Sequence, residues 1–256
     1  MYRTRKALLA LLLLGSLDAA QASEPVIRIA TEGTFPPYSF VKPDGSLAGF
    51  DVDIANSLCD EMKVRCTLVK QEWDGIIPGL LAKKYDAVVS SMAITPERQR
   101  KVAFSDKYQG GYSMLFGSTA LTDNSPDAMR GKVIAVQKGS IQETFAKARY
   151  ESAGLSLRRY PDVQAALMDL SAGRVDAVVL DVAQIHQAKK NPDMAGYHGF
   201  GEKLNDPRYF GVGSGIAVRK QDQVLLGRIN QALKTILANG TYQRINDKYF
   251  EYNQYE

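Results

Sequence analysis

The sequence has 256 residues and a formal net charge of +4, which falls to +2 when residues 1–22, with Arg3, Arg5, Lys6 and Asp18, are set aside. So small a charge gives no footing for nucleic acid or an anionic membrane surface as partner. The 234 residues left are enough for one large domain or two small ones.

The chain opens MYRTRKALLALLLLGSLDAAQAS. Arg3, Arg5 and Lys6 form a positive n-region, Ala7 to Leu14 an apolar h-region, and Ala20-Gln21-Ala22 an A-x-A cleavage signal. The apolar run is too short for an ordinary membrane span. The reading is a signal peptide over 1–22, cut after Ala22, and an exported, soluble mature protein.

Strand-like VIRIA (26–30) is followed by helix-like FDVDIANSLCDEM (50–62) and by DAVVS (86–90). KVIAV (132–136), IQETFAKARYESA (141–153), DAVVL (176–180), GIAV (215–218) and QVLLGRINQALKTILANG (223–240) continue the alternation. It predicts α/β layers with mostly parallel sheets, and Gly240 suits a helix C-cap. Cys59 and Cys66 lie seven positions apart. Export permits a disulfide between them, with two unpaired thiols as the alternative. Without a nearby histidine the pair makes no zinc site, and no metal or other cofactor is called for.

LLAKKYDAVVSSMA (80–93) is echoed by LSAGRVDAVVLDVA (170–183), ninety residues on. IRIATEGT (27–34) is likewise echoed by VIAVQKGS (133–140). Two similar α/β lobes would produce both echoes. Open α/β sheets bind ligands beyond the carboxyl ends of their strands. Ser91 and Asp181, which the echo aligns, should therefore face one crevice, with Glu32 and Gly139-Ser140 in the turns after each lobe's first strand.

Thr95 suits an N-cap and Pro96 the first helical position, which puts Arg98 in the first turn. A cation is poorly placed against the helix dipole there. Beside Ser90 and Ser91, however, its fork could receive a carboxylate. Ser140 could cap a helix starting at Ile141, and Asp181 could accept from an ammonium or simply cap a helix. Phe35 and Trp73, at loop positions, are core aromatics or walls for a ligand side chain.

Taken together, EGTFPPYSF, GFDVDIANSLCDEMKVRC, WDGIIPGLLAKKYDAVVSSMAITPERQ, AGRVDAVVLD, YFGVGSGIAVRK and GTYQRINDKYF resemble one family. It is the periplasmic solute-binding proteins of polar amino acid ABC importers, in the lysine/arginine/ornithine- and histidine-binding branch. The resemblance implies a type II, two-lobed periplasmic binding protein fold with the ligand cleft between lobes joined by a hinge. Lobe 1 would comprise 23–110 and 212–256, and lobe 2 residues 111–211, with crossings near Gln109–Ser113 and Asp206–Gly213. It implies a Cys59–Cys66 disulfide, a periplasmic monomer, and delivery of the ligand to a membrane permease after hinge closure.

Matched position by position, the resemblance puts the α-carboxylate clamp on Arg98, Ala93, Ser91 and Ile141. Asp181 becomes the ammonium acceptor, and Ser90 and Gln142 further polar contacts. Phe35 and Trp73 become the aromatic pair, and Glu32 the acid at the side-chain end. Four positions depart from the branch: Ala93 and Ile141 stand where hydroxyl residues are usual, Gln137 replaces an apolar contact, and Glu32 an aspartate. Arg98, Asp181 and Glu32 together carry −1, so a ligand of charge +1 neutralises the site, and a neutral one leaves Glu32 unpaired. EGTF and QEWDGI also resemble opine-binding relatives. Some relatives of the fold are cyclohexadienyl dehydratase-like enzymes. Against catalysis, GVGSGI fits neither G-x-S-x-G nor the dinucleotide pattern, and His186 and His198, both read as surface residues, are too far apart for H-E-x-x-H.

Overall fold

The structure is a computed structural model that describes residues 26–255; the expected signal peptide and its cleavage site lie outside them. The chain begins with β1 (Val26–Thr31), a small layer of β2 (Thr34–Phe35), β3 (Ser39–Val41) and β4 (Leu47–Ala48), then α1 (Phe50–Met62) and β5 (Arg65–Lys70). Next come α2 (Ile76–Leu81), β6 (Ala87–Val88), α3 (Pro96–Gln99) and β7 (Ala103–Gln109). β8 (Ser113–Ser118), β9 (Val133–Gln137), α4 (Ile141–Arg149), β10 (Ser156–Tyr160), α5 (Val163–Ser171), β11 (Ala177–Asp181), α6 (Val182–Ala188) and β12 (Tyr197–Leu204) follow. α7 (Pro207–Phe210), β13 (Ser214–Val218), α8 (Gln223–Ala238) and α9 (Thr241–Tyr249) complete the chain.

Two five-stranded sheets form the centres of two α/β lobes, in the orders β5-β1-β6-β13-β7 and β10-β9-β11-β8-β12. In the first, β13 runs antiparallel to both neighbours, and in the second β8 does. The other pairings are parallel. Each sheet is thus mostly parallel in strand direction, with one reversed strand in the fourth place.

The repeated D-A-V-V has a physical cause. Asp86 Oδ2 accepts from the Arg28 backbone N–H (3.1 Å), and Asp176 Oδ2 from that of Val133 (2.8 Å). Each aspartate therefore pins the start of one central strand to the start of the next, and each also meets a cation, Arg28 or Lys132. The basic turn before each aspartate needs a left-handed residue, Lys83 (φ 60°) in one lobe and Gly173 (φ 67°) in the other.

Both faces of both sheets are covered, as parallel strands require. On the first sheet α1 buries Phe50, Ile54 and Leu58, a stripe spaced by four residues, against Ile229, Leu233 and Ile236 of α8. Ile76, Leu80 and Tyr85 pack the other face. On the second sheet Phe145 and Ala146 of α4 cover one face, and Ala166, Leu170 and Ile185 the other. Each fully buried Leu or Ile contributes roughly 1.5–3 kcal/mol. The Cys59–Cys66 disulfide ties α1 to β5, a short loop whose closure stabilises by about 2–3 kcal/mol.

Several expected elements changed length. DAVVS keeps only Ala87–Val88 as ladder, because the chain must leave the sheet at Ser90 to form the cleft wall. IQETFAKARYESA ends as α-helix at Arg149 and finishes in a 3-10 turn, Glu151–Ala153. Gly240 (φ 77°) sits between α8 and α9. His186 is exposed, but His198 is partly buried, with Nε2 2.7 Å from the Leu121 carbonyl oxygen.

Candidate ligand cleft

Between the lobes lies a narrow cleft with an internal volume of about 90 Å³. Glu32, Phe35, Trp73, Ser90, Ser91, Ala93 and Arg98 line it from one lobe, and Ser140, Ile141, Gln142 and Asp181 from the other. The structure brings all eleven residues together.

Thr95 caps α3 by accepting from the Arg98 N–H (3.2 Å), with Pro96 at the first helical position. This fixes Arg98 at the cleft wall, where it is buried. Its Nη1 donates to the Ala93 carbonyl (3.2 Å), and its guanidinium lies 5.1 Å from the centroid of the Trp73 ring. Among the described residues no carboxylate forms a salt bridge with it. Burial lowers its pKa to about 10, so it remains a cation at neutral pH. A buried guanidinium without a counter-ion is a receptor for a carboxylate.

From the facing lobe, Ser140 caps α4: its Oγ accepts from the Glu143 N–H (3.0 Å) and donates to the Gln137 carbonyl (2.7 Å). Its hydrogen is therefore engaged, which leaves the oxygen only an acceptor's role toward a ligand. The first-turn N–H groups of α4, on Ile141 and Gln142, have no acceptor within the helix and belong to residues that line the cleft. Gln142 is steadied by a bond from Nε2 to Ser113 Oγ (3.1 Å).

The two acids share a pattern. Asp181 caps α6, and its Oδ1 takes both protein donors, the Ala183 N–H (2.9 Å) and the Tyr38 hydroxyl (2.9 Å). Oδ2 is left beside Gly111, where a Cβ would stand 3.3 Å from it. Glu32 Oε1 likewise takes both its donors, Thr34 Oγ1 (3.0 Å) and Gln137 Nε2 (2.5 Å), leaving Oε2 without a hydrogen-bond donor among the described residues. Burial pushes Glu32 up to about 7 and Asp181 up to about 6, against the pull of those hydrogen bonds.

The serines differ from expectation. Ser90 Oγ accepts from the Glu32 N–H (3.0 Å) and keeps its hydrogen for another acceptor. Ser91 instead turns its hydroxyl to Asp51 Oδ2 (2.8 Å), away from the clamp role expected of it. Its N–H donates to Tyr108 Oη (2.9 Å), its carbonyl accepts from Ser214 Oγ (3.1 Å), and its φ is 47°. The left-handed backbone costs such a residue about 1–2 kcal/mol. These three bonds hold it there and bend the chain so that Ala93 reaches the cleft.

Asp51, fully buried and pushed up to about 6 by burial, also accepts from Tyr108 Oη (2.6 Å). The sequence reading missed Asp51, since an acid in a first helical turn ordinarily faces water and favours the dipole. It assigned Tyr112, Ser113 and Phe210 to the crossings only and gave no role to Asn205 and Ser214, yet all five also line the cleft, at or beside the two connections between the sheets. Trp73, expected as a ligand wall, is engaged with Arg98 and donates Nε1–H to the Gly139 carbonyl across the mouth (3.1 Å). Phe35 stacks on Tyr38, centroids 5.4 Å apart.

Residues 27–252 match the model of bacterial extracellular solute-binding proteins, family 3. The chain belongs to that family. Among family-3 relatives it is similar to an L-arginine-binding protein of Pseudomonas aeruginosa, 46% identical over 94% of this chain and 93% of that protein. The lysine/arginine/ornithine-binding periplasmic protein of Escherichia coli is 37% identical over 98% of this chain and 99% of its own length. In structure, a Salmonella typhimurium periplasmic binding protein of high arginine specificity superposes with a TM-score of 0.82 at 33% identity, covering 88% of this chain and 99% of that one. These structural neighbours are type II periplasmic binding proteins of family 3, and this chain shares their fold.

Proposed function

We propose that this protein is the periplasmic binding component of an ABC importer and that it captures a basic amino acid, arginine foremost. One observation carries the reading. Arg98, a buried cation that forms no salt bridge among the described residues, shares the cleft with two acids, Asp181 and Glu32, whose hydrogen bonds from described residues all fall on one carboxylate oxygen each. An amino acid of charge +1 meets that pattern group by group. Its carboxylate takes the Arg98 fork and the α4 N–H groups, its ammonium takes Asp181 Oδ2, and its cationic tail takes Glu32 Oε2. Similarity to arginine- and lysine/arginine/ornithine-binding relatives supports the tail's charge.

Lobe 1 is assigned residues 23–110 and 212–256, and lobe 2 residues 111–211. The connections Gly110–Tyr112 and Asn205–Gly213 act as the hinge, and the closed form is what a membrane permease would receive. Export is followed by cleavage after Ala22, and the protein acts as a monomer without a catalytic step.

The test is a thermal-shift screen of refolded, ligand-free protein against basic and neutral amino acids, opines and prephenate. A ligand at a thousandfold excess over Kd adds about 4 kcal/mol and raises the melting point by several degrees. Shifts confined to arginine, lysine and ornithine support the assignment. Shifts from opines or neutral compounds alone overturn the side-chain pocket, and turnover of prephenate overturns the non-catalytic reading.

A further inference from the structure

Tyr38 has no solvent exposure and packs against Phe35, Phe50 and Phe250. A phenylalanine would satisfy that packing equally well, so the hydroxyl needs its own explanation. It donates to Asp181 Oδ1 (2.9 Å) and accepts from Gln254 Nε2 (2.7 Å). Tyr38 stands between β2 and β3, whereas Asp181 ends β11 of the other sheet. The bond therefore joins the two lobes at the hinge end of the cleft, where Asp181 also lies beside Gly111.

Gln254 is itself buried and held at the hinge. Its carbonyl accepts from the Gly110 N–H (2.7 Å), and its own N–H donates to Asn246 Oδ1 (2.8 Å). With the Gln254 amide on its lone pair, the Tyr38 hydroxyl has its hydrogen directed at Asp181. The same C-terminal segment reaches the second lobe directly, with the rings of Tyr252 and His186 5.7 Å apart.

We propose that the Tyr38 hydroxyl is a closure latch seated on Asp181, and that Gln254 is the positioning residue that aims it from the hinge. The latch occupies Oδ1, so the oxygen left for a ligand is Oδ2. Closing the lobes thus orients the acceptor as it completes the cleft. In its link to ligand release, the inference rests on Asp181 receiving the ammonium; the latch between lobes does not.

Tyr38→Phe keeps the ring and removes the hydroxyl. Stopped-flow binding of arginine should show dissociation about tenfold faster with association unchanged, since the latch forms after encounter. Small-angle scattering of the ligand-free variant should show a larger radius of gyration than the parent. Gln254→Ala should move both readouts in the same direction by less. Unchanged dissociation and scattering in Tyr38→Phe overturn the latch, as does a loss confined to association. Should no amino acid bind even the parent protein, the function proposed above fails. The scattering then decides the latch alone: an increase upholds it and no change removes it.

Discussion

Glu32 and Gln137 meet across the cleft, Oε1 to Nε2 at 2.5 Å, and this contact ties the pocket's acid to closure. Gln137 is the last residue of β9, and its Nε2 also lies 3.4 Å from the Pro161 carbonyl oxygen. Glu32→Gln should therefore weaken arginine, lysine and ornithine by tenfold or more while affecting neutral amino acids little. Isothermal calorimetry across the series checks this; an equal loss for neutral ligands would remove Glu32 from the side-chain end.

Arg98→Ala should abolish binding of every amino acid, a loss of at least a hundredfold, because the charge-assisted bonds of a buried guanidinium have no substitute there. Arg98→Lys should recover little, since an ammonium lacks the planar fork and the stacking on Trp73. Retained affinity in Arg98→Ala, measured by calorimetry, would place the carboxylate elsewhere.

Burial pushes Glu32 up to about 7, and a cationic ligand needs it ionised. Below that value binding must first displace the proton, so arginine affinity should rise roughly tenfold between pH 6 and pH 7.5. Proton release on binding, read from calorimetry in buffers of different ionisation enthalpy, should accompany it near neutrality. Histidine gains charge below about pH 6.5, against the loss on Glu32, and its affinity should pass through a maximum.

The same raised acid makes a stability prediction of defined sign. A carboxylate whose folded pKa lies above its unfolded value adds stability that is complete below the unfolded pKa. That stability is lost as pH rises through the folded one. Between 4.5 and about 7 the ligand-free protein should lose roughly 3 kcal/mol through Glu32. Glu32→Gln should raise the ligand-free melting point relative to the parent at pH 8 but not at pH 4, by differential scanning calorimetry.

Asp51→Ala removes the acceptor of the buried Tyr108 Oη and the shorter of the two acceptors of the half-buried Ser91 Oγ, which keeps Gln109 Oε1 (3.2 Å), and so weakens the support of a left-handed serine. A loss of roughly 2–4 kcal/mol in urea denaturation is expected, with weaker ligand binding through the displaced Ala93. A variant as stable as the parent would show that the turn holds itself.

The two lobes were legible because their repeat is chemical as well as statistical. Asp86 and Asp176 perform the same backbone pinning, and that constraint kept D-A-V-V recognisable ninety residues apart. Caps were legible for the same local reason, at Thr95, Ser140 and Asp181. Asp51, Tyr108 and Gln254 were not, because their partners are 40, 57 and 216 positions away. A residue type tells what a side chain can donate, but not which distant atom will receive it. The Ser91 hydroxyl was misdirected on that account, toward a ligand instead of Asp51.

The reversed strands set the order in which the molecule can be completed. β13 fills the fourth place of the first sheet, and α8 and α9 cover its face, yet all three come after the whole second sheet. A chain emerging amino end first can finish its second lobe while the first still lacks a strand. The half that begins synthesis is the half whose sheet is completed last, and a truncation near residue 210 leaves the first sheet, and the Arg98 wall it carries, without β13.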